Sequence, residues 1–134
     1  MKLPEYVKPY PRLLNPFNAK GGRPFFMNRI WLRKDIYDDL LSDKPSPWSV
    51  SILIHEEEHR KSVGIIKSFE YLFSPKSRIE EEMSAYKIQF AYLKKHRGKW
   101  DIDHTARAFS GPVYYWSMSE GEAKKMLEKA WREA

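Results

Sequence analysis

Apolar residues recur with helical spacing in two stretches of this chain and surround the helix axis in a third. Ile79, Met83, Tyr86, Phe90 and Leu93 advance by four, three, four and three residues. On a 3.6-residue repeat these steps return to one face, which predicts a helix with a single buried stripe. Ser74-Pro75 offers one start for it, and Ser77 with Glu80 as capping-box partner offers another. Its end is expected near His96, where Arg97 suits the helix dipole and Gly98 the cap. A last helix is predicted after Ser119, with Glu122 completing Ser-x-x-Glu and Ala123, Met126, Leu127, Ala130 and Trp131 as its stripe. From Pro47 to Val63 the pattern differs. Val50, Ile52, Leu53 and Ile54 are apolar all round, so the first half of this helix should be buried, while the second half is polar. Ser46-Pro47 supplies its N-cap and first position, and Gly64 a left-handed C-cap.

Between these segments the pattern is weaker. Phe25 to Leu32 is the best strand candidate, with a break near Asn28-Arg29 that would fold it into a hairpin. As an edge strand it would pair with an extended peptide; as a core strand it would have no such role. Asp35 to Leu41 reads as a short helix, and 42–45 as a connector. Residues 1–24 carry Pro4, Pro9, Pro11, Pro16 and Pro24 among Tyr6, Tyr10 and Phe17. Prolines at that density forbid a helix and favour an extended arm packed across the domain, or a mobile tail, with Gly21-Gly22 as a turn. Ile65 to Phe73 has no firm period and reads as a loop or a short helix. Trp100 to His104 is expected to be a polar loop, and Gly111 to Trp116 a strand or an aromatic lid. The sum is an α+β fold in one domain, residues 1–134: an arm over 1–24, a core over 25–98, and an aromatic segment with the C-terminal helix over 99–134.

Composition narrows the chemistry. There is no cysteine among the 134 residues, so disulfides and thiolate metal sites are excluded and any metal must be held by His, Asp or Glu. Aromatic residues make up 15% of the chain, which predicts a core rich in rings. No apolar run reaches bilayer length, and Met1 to Glu5 lacks the apolar segment of a secretory signal, so the expected compartment is the cytoplasm and no membrane partner is expected. The net charge of +6 raises nucleic acid as a partner. Yet the basic residues alternate with acids, as in Arg33-Lys34-Asp35, and read as a solvated mixed surface.

The chemistry concentrates in His55-Glu56-Glu57-Glu58-His59. On a helix, residues four apart are separated by roughly 40° about the axis, so both imidazoles can reach one ion. Zinc keeps catalytic capacity with three protein ligands, and this stretch offers two of them together with Glu56 as a base. Glu82 is the candidate third ligand. It follows Ile79 by three and precedes Tyr86 by four, at the border of the apolar stripe, whereas Glu81 and Glu80 are about 100° and 200° away and should face outward. A carboxylate on that border costs free energy unless it is paired, and a metal ion is a suitable partner. Three glutamates in a first turn also suit the helix dipole, which is the simpler alternative.

A helix bearing His-Glu-x-x-His followed by one bearing Glu-x-x-Ala resembles the gluzincin zinc metallopeptidases, and the small size resembles their minimal single-domain forms, the minigluzincins. The resemblance spans roughly Phe25 to His96 and rests on His55, Glu56, His59, Glu82 and Ala85. Tyr86 stands where the pattern often has Asp. A metzincin-like continuation would need Gly at 62 and His at 65, where this chain has Ser62 and Ile65. The resemblance implies a zincin-like core, zinc as cofactor, and hydrolysis of a peptide or protein substrate with Glu56 as general base. It also implies a Tyr or His that stabilises the oxyanion, for which His104, Tyr114 and Tyr115 are the candidates. Two alternatives stand beside it. One is a silent or latent relative whose cleft is filled by the arm or the aromatic segment; the other is a basic, aromatic-rich module binding nucleic acid or a protein.

Overall fold

Ile30, Trp31 and Leu32, the end of the apolar run, form the middle strand of a small sheet in the computed structural model, which describes residues 1–16, 18–22, 28–61 and 74–134. The sheet contains β1 (Val7–Pro9), β2 (Gly21–Gly22) and β3 (Ile30–Leu32), in the order β1-β3-β2. β1 runs parallel to β3, pairing Val7 with Ile30, and β2 runs antiparallel, pairing Gly21 with Leu32. The proline-rich arm is therefore part of the fold. Val7 is fully packed in the core, so a mobile tail is ruled out for this segment. Gly21-Gly22, expected as a turn, is strand, because β3 offers its backbone groups a ladder partner. β3 is bonded on both sides, and among the described residues β2 is the edge on its flank. The proposed hairpin break, Gly64 and the 65–73 segment fall wholly or partly outside the described residues.

Five α-helices complete the described residues: α1 (Lys34–Leu41), α2 (Pro47–Lys61), α3 (Pro75–Lys95), α4 (Ile102–Phe109) and α5 (Glu120–Glu133). None is long and apolar enough to cross a membrane. The caps follow the side chains. Ser46 Oγ accepts from Ser49 N–H and in turn donates to Asp39, tying the start of α2 to α1. Ser74, not Ser77, caps α3 by accepting from the Ser77 N–H. At the far end of α3, Arg97 occupies the left-handed position with φ 56°. Gly98 then donates its N–H to the Leu93 carbonyl at 2.7 Å, and Arg97 to that of Lys94, the double closure of a Schellman motif. A side chain at 98 would collide with Leu93, so the glycine serves close approach here while Arg97 adopts the unusual φ.

Two apolar clusters hold these elements. One joins Val7, Ile30, Leu32, Ile36 and Leu40 to Ile52 and Leu53 of α2. The other joins Ile79, Met83, Phe90 and Leu93 of α3 to Phe109, Tyr114, Leu127 and Ala130. Trp100 packs against both. Residues 102–109 and 112–114 form α4 and a 3-10 turn, where a loop and a strand or lid were expected. The Asp101 carboxylate caps α4 through the His104 N–H, and Ala106 and Phe109 of this short helix are buried. An eight-residue amphipathic helix whose cap lies inside a polar run has too few periodic positions to stand out in sequence.

Candidate metal centre

The polar half of α2 packs against α3, and that contact is the site. Residues four apart on α2 bring Ser51, His55 and His59 to one face, each buried, with Glu56 buried beside them. On α3, Glu82 and Gln89 are seven residues apart, two turns, and both face α2 from inside. His55 Nε2 lies 3.0 Å from one Glu82 carboxylate oxygen, and His59 Nε2 3.2 Å from the other. The two Nε2 atoms are 3.1 Å apart. Two ligands on one tetrahedral zinc, each about 2.0–2.1 Å from it, would be separated by about 3.3 Å, close to the spacing of the two imidazole nitrogens from each other and of each from its nearer carboxylate oxygen. His55, His59 and Glu82 lie close enough to hold a metal ion.

The electrostatics agree with the geometry. Burial opposes a charge on His59, but the Glu82 carboxylate, with Glu81 and Glu56, outweighs it and pushes the His59 pKa up to about 11. Burial likewise favours a neutral Glu82, yet His59 and His55 outweigh that and hold its carboxyl well below the usual range. A carboxylate this deep therefore keeps its charge by having a cation beside it. A proton on His59 supplies that cation, and a metal ion would replace it.

Around these three side chains the structure adds groups that the pattern alone did not mark. Gln89 Oε1 lies 2.9 Å from His55 Nδ1, and Glu81 Oε1 lies 3.3 Å from His59 Nδ1. Glu81 was expected to face outward; its side chain instead reaches back across the α2–α3 seam. Glu80 does face solvent, near Lys76. The ring of Tyr86 meets that of His55 edge-on at 4.4 Å, and burial, followed by the Glu82 charge, raises its phenol pKa, so it stays neutral. Gln89 and Ser51 were legible in principle. One is a polar residue two turns from Glu82, the other a serine one turn before His55.

A cavity of about 420 Å³ opens in front of this cluster. Glu56, His55, His59 and Glu82 line it together with Lys20, Gly21 and Gly22 of the arm. The Glu56 carboxylate fits against Gly21 so closely that a Cβ there would stand 2.9 Å from Oε1. His104, on the exposed first turn of α4, and the buried Tyr114 line the same cavity. Tyr115 is 51% exposed with φ 55°, its ring beside the Arg78 guanidinium. Asp101 and Asp103, from the stretch expected to be a polar loop, are engaged within the fold: Asp101 caps α4 and Asp103 pairs with Lys124 at 2.9 Å.

No family model matches the chain, and neither the curated proteins nor the solved structures yield a match to it.

Proposed function

We propose that this chain is a zinc-dependent peptidase, with His55, His59 and Glu82 as metal ligands and Glu56 as general base. The observation that carries the reading is the convergence of two helices: two imidazole nitrogens and a buried carboxylate from separate elements, within 3.0–3.2 Å of one another, at the wall of a cavity that also receives Glu56. Zinc is the cation that this donor set suits, since it accepts nitrogen and oxygen in a four-coordinate arrangement. Bound there, it supplies Lewis acidity, lowering the pKa of water and polarising a carbonyl oxygen.

The chain's own residues do the rest. Glu82 contributes the charge, and His55 and His59 contribute neutral nitrogen. Glu56, adjacent in sequence to a ligand and in the same cavity, takes a proton from the attacking water and passes it to the leaving amine as the C–N bond breaks. Gly21 and Gly22 form a side-chain-free wall on the sheet edge beside Glu56, which admits an extended peptide backbone. His104 and Tyr114 border the cavity and are the nearer candidates for stabilising an oxyanion; Tyr115 is directed more toward solvent.

The test is metal analysis of the purified protein together with cleavage of casein or a quenched fluorescent peptide library. Zinc near one equivalent, with cleavage abolished by a chelator and by Glu56→Gln, is expected. Protein that takes up no zinc from a buffered solution, or cleavage unchanged in Glu56→Gln, overturns the proposal.

A further inference from the structure

Behind His55 lies a chain of buried groups whose hydrogen-bond direction is dictated at one end. Ser51 Oγ is 2.7 Å from the Trp48 carbonyl oxygen. A carbonyl can only accept, so the single Ser51 proton is spent on it. Ser51 Oγ is then left as an acceptor, and the Gln89 amide nitrogen donates to it at 3.1 Å. With its nitrogen so engaged, Gln89 turns its oxygen to His55 Nδ1, 2.9 Å away. An amide oxygen also only accepts. His55 Nδ1 must therefore carry a proton, which leaves Nε2, 3.0 Å from a Glu82 carboxylate oxygen, as the nitrogen that faces the metal site. The reverse orientation of the amide would ask Ser51 to donate one proton to two oxygens. Ser51 and Gln89 are 0% and 1% exposed, which keeps solvent from repairing such a mismatch.

We propose that Trp48, Ser51 and Gln89 form a positioning relay that holds a proton on His55 Nδ1 and aims its Nε2 at the metal. The Nδ1 proton follows from the hydrogen bonds alone; its consequence for metal affinity rests on the reading of the triad given above. The relay also answers the substitution at position 86. The residue four after Glu82 offers His55 the edge contact of a ring, and Gln89, one turn further along α3, supplies the acceptor. Outer partners of this kind set ring orientation and basicity, and their loss typically weakens metal binding about 10–100-fold.

Two measurements test it. Long-range 1H–15N correlation of the histidine side chains should show His55 protonated at Nδ1 in the zinc-free protein, and addition of zinc should leave that proton in place while Nε2 becomes the metal-bound nitrogen. Zinc competition against a chromophoric chelator should show affinity falling about 10–100-fold in Gln89→Leu and less in Ser51→Ala. A proton on Nε2 with Nδ1 bare in the wild type, or zinc affinity unchanged in a folded Gln89→Leu, overturns the relay. Should Gln89→Leu fail to fold, the wild-type spectrum and Ser51→Ala still decide the matter, an unaltered affinity in the latter counting against the relay. Failure of the wild type to bind zinc would undo the metal reading instead, and the Nδ1 proton would still be read in zinc-free protein.

Discussion

Gly21→Ala isolates the placement of the proposed base from the metal site. Gly21 has no positive φ, so alanine meets no backbone penalty, and the perturbation is the methyl group itself. That methyl would stand 2.9 Å from Glu56 Oε1 and 3.0 Å from Cγ, roughly half an ångström inside ordinary carbon contact distances of about 3.5 Å. Either Glu56 or the β2 edge must yield by that amount. Since misplacing a reacting group by 1 Å can cost about 100-fold, half that displacement predicts a loss of about tenfold in kcat/KM, or about 1.4 kcal/mol in the barrier. Zinc affinity should not change, because no ligand is touched. Gly22→Ala is the matched control: its Cβ would meet Tyr10 at 3.5 Å, an ordinary contact. Steady-state cleavage of a quenched peptide and zinc competition on all three proteins complete the assay. Full activity in Gly21→Ala, or an equal loss in Gly22→Ala, would refute the reasoning.

Three further outcomes are expected. Glu82→Ala should lose most of its zinc on dialysis while Glu56→Gln retains it and loses about 10²–10⁴-fold in turnover, as metal content and peptide assays will show. Chelation should lower Tm by several degrees: zinc at 100 times its Kd stabilises by about 2.7 kcal/mol, read by calorimetry with and without metal. Asp39 accepts hydrogen bonds from Ser49 and Ser46 that lower its pKa. A depressed carboxylate stabilises above its unfolded pKa, near about 4, and loses that contribution as pH falls through the folded value. Asp39→Asn should therefore reduce Tm near neutral pH, and the gap to wild type should close in acid.

Where sequence and structure agree, one strong local signal was enough. The i, i+4 histidines, the Ser46-Pro47 start and the four-three-four-three stripe of α3 each depend on helical geometry alone, and the α+β class followed from them. Glu82 was legible because its angle to the stripe can be counted. Glu81 was not, since a long side chain near a helix–helix seam can reach well beyond the direction of its Cβ. The sheet was the least legible part. β2 has two glycines and no side chains to carry a period, and β1 consists of three residues ending in proline, so only pairing with β3 makes strands of them. α4 was missed for want of length. The Gln89 link needed both helices in place before its partners could be known.

The histidines and the glutamate belong to different halves of the molecule: α2 is rooted in the sheet-side cluster, and α3 in the helical one. Whatever bonds His55 and His59 to Glu82 thus acts as a rivet across the joint between two separately filled interiors. Amide exchange at this joint would slow on both sides at once when the rivet is in place, so occupancy of three side chains would be felt in the rigidity of the whole body.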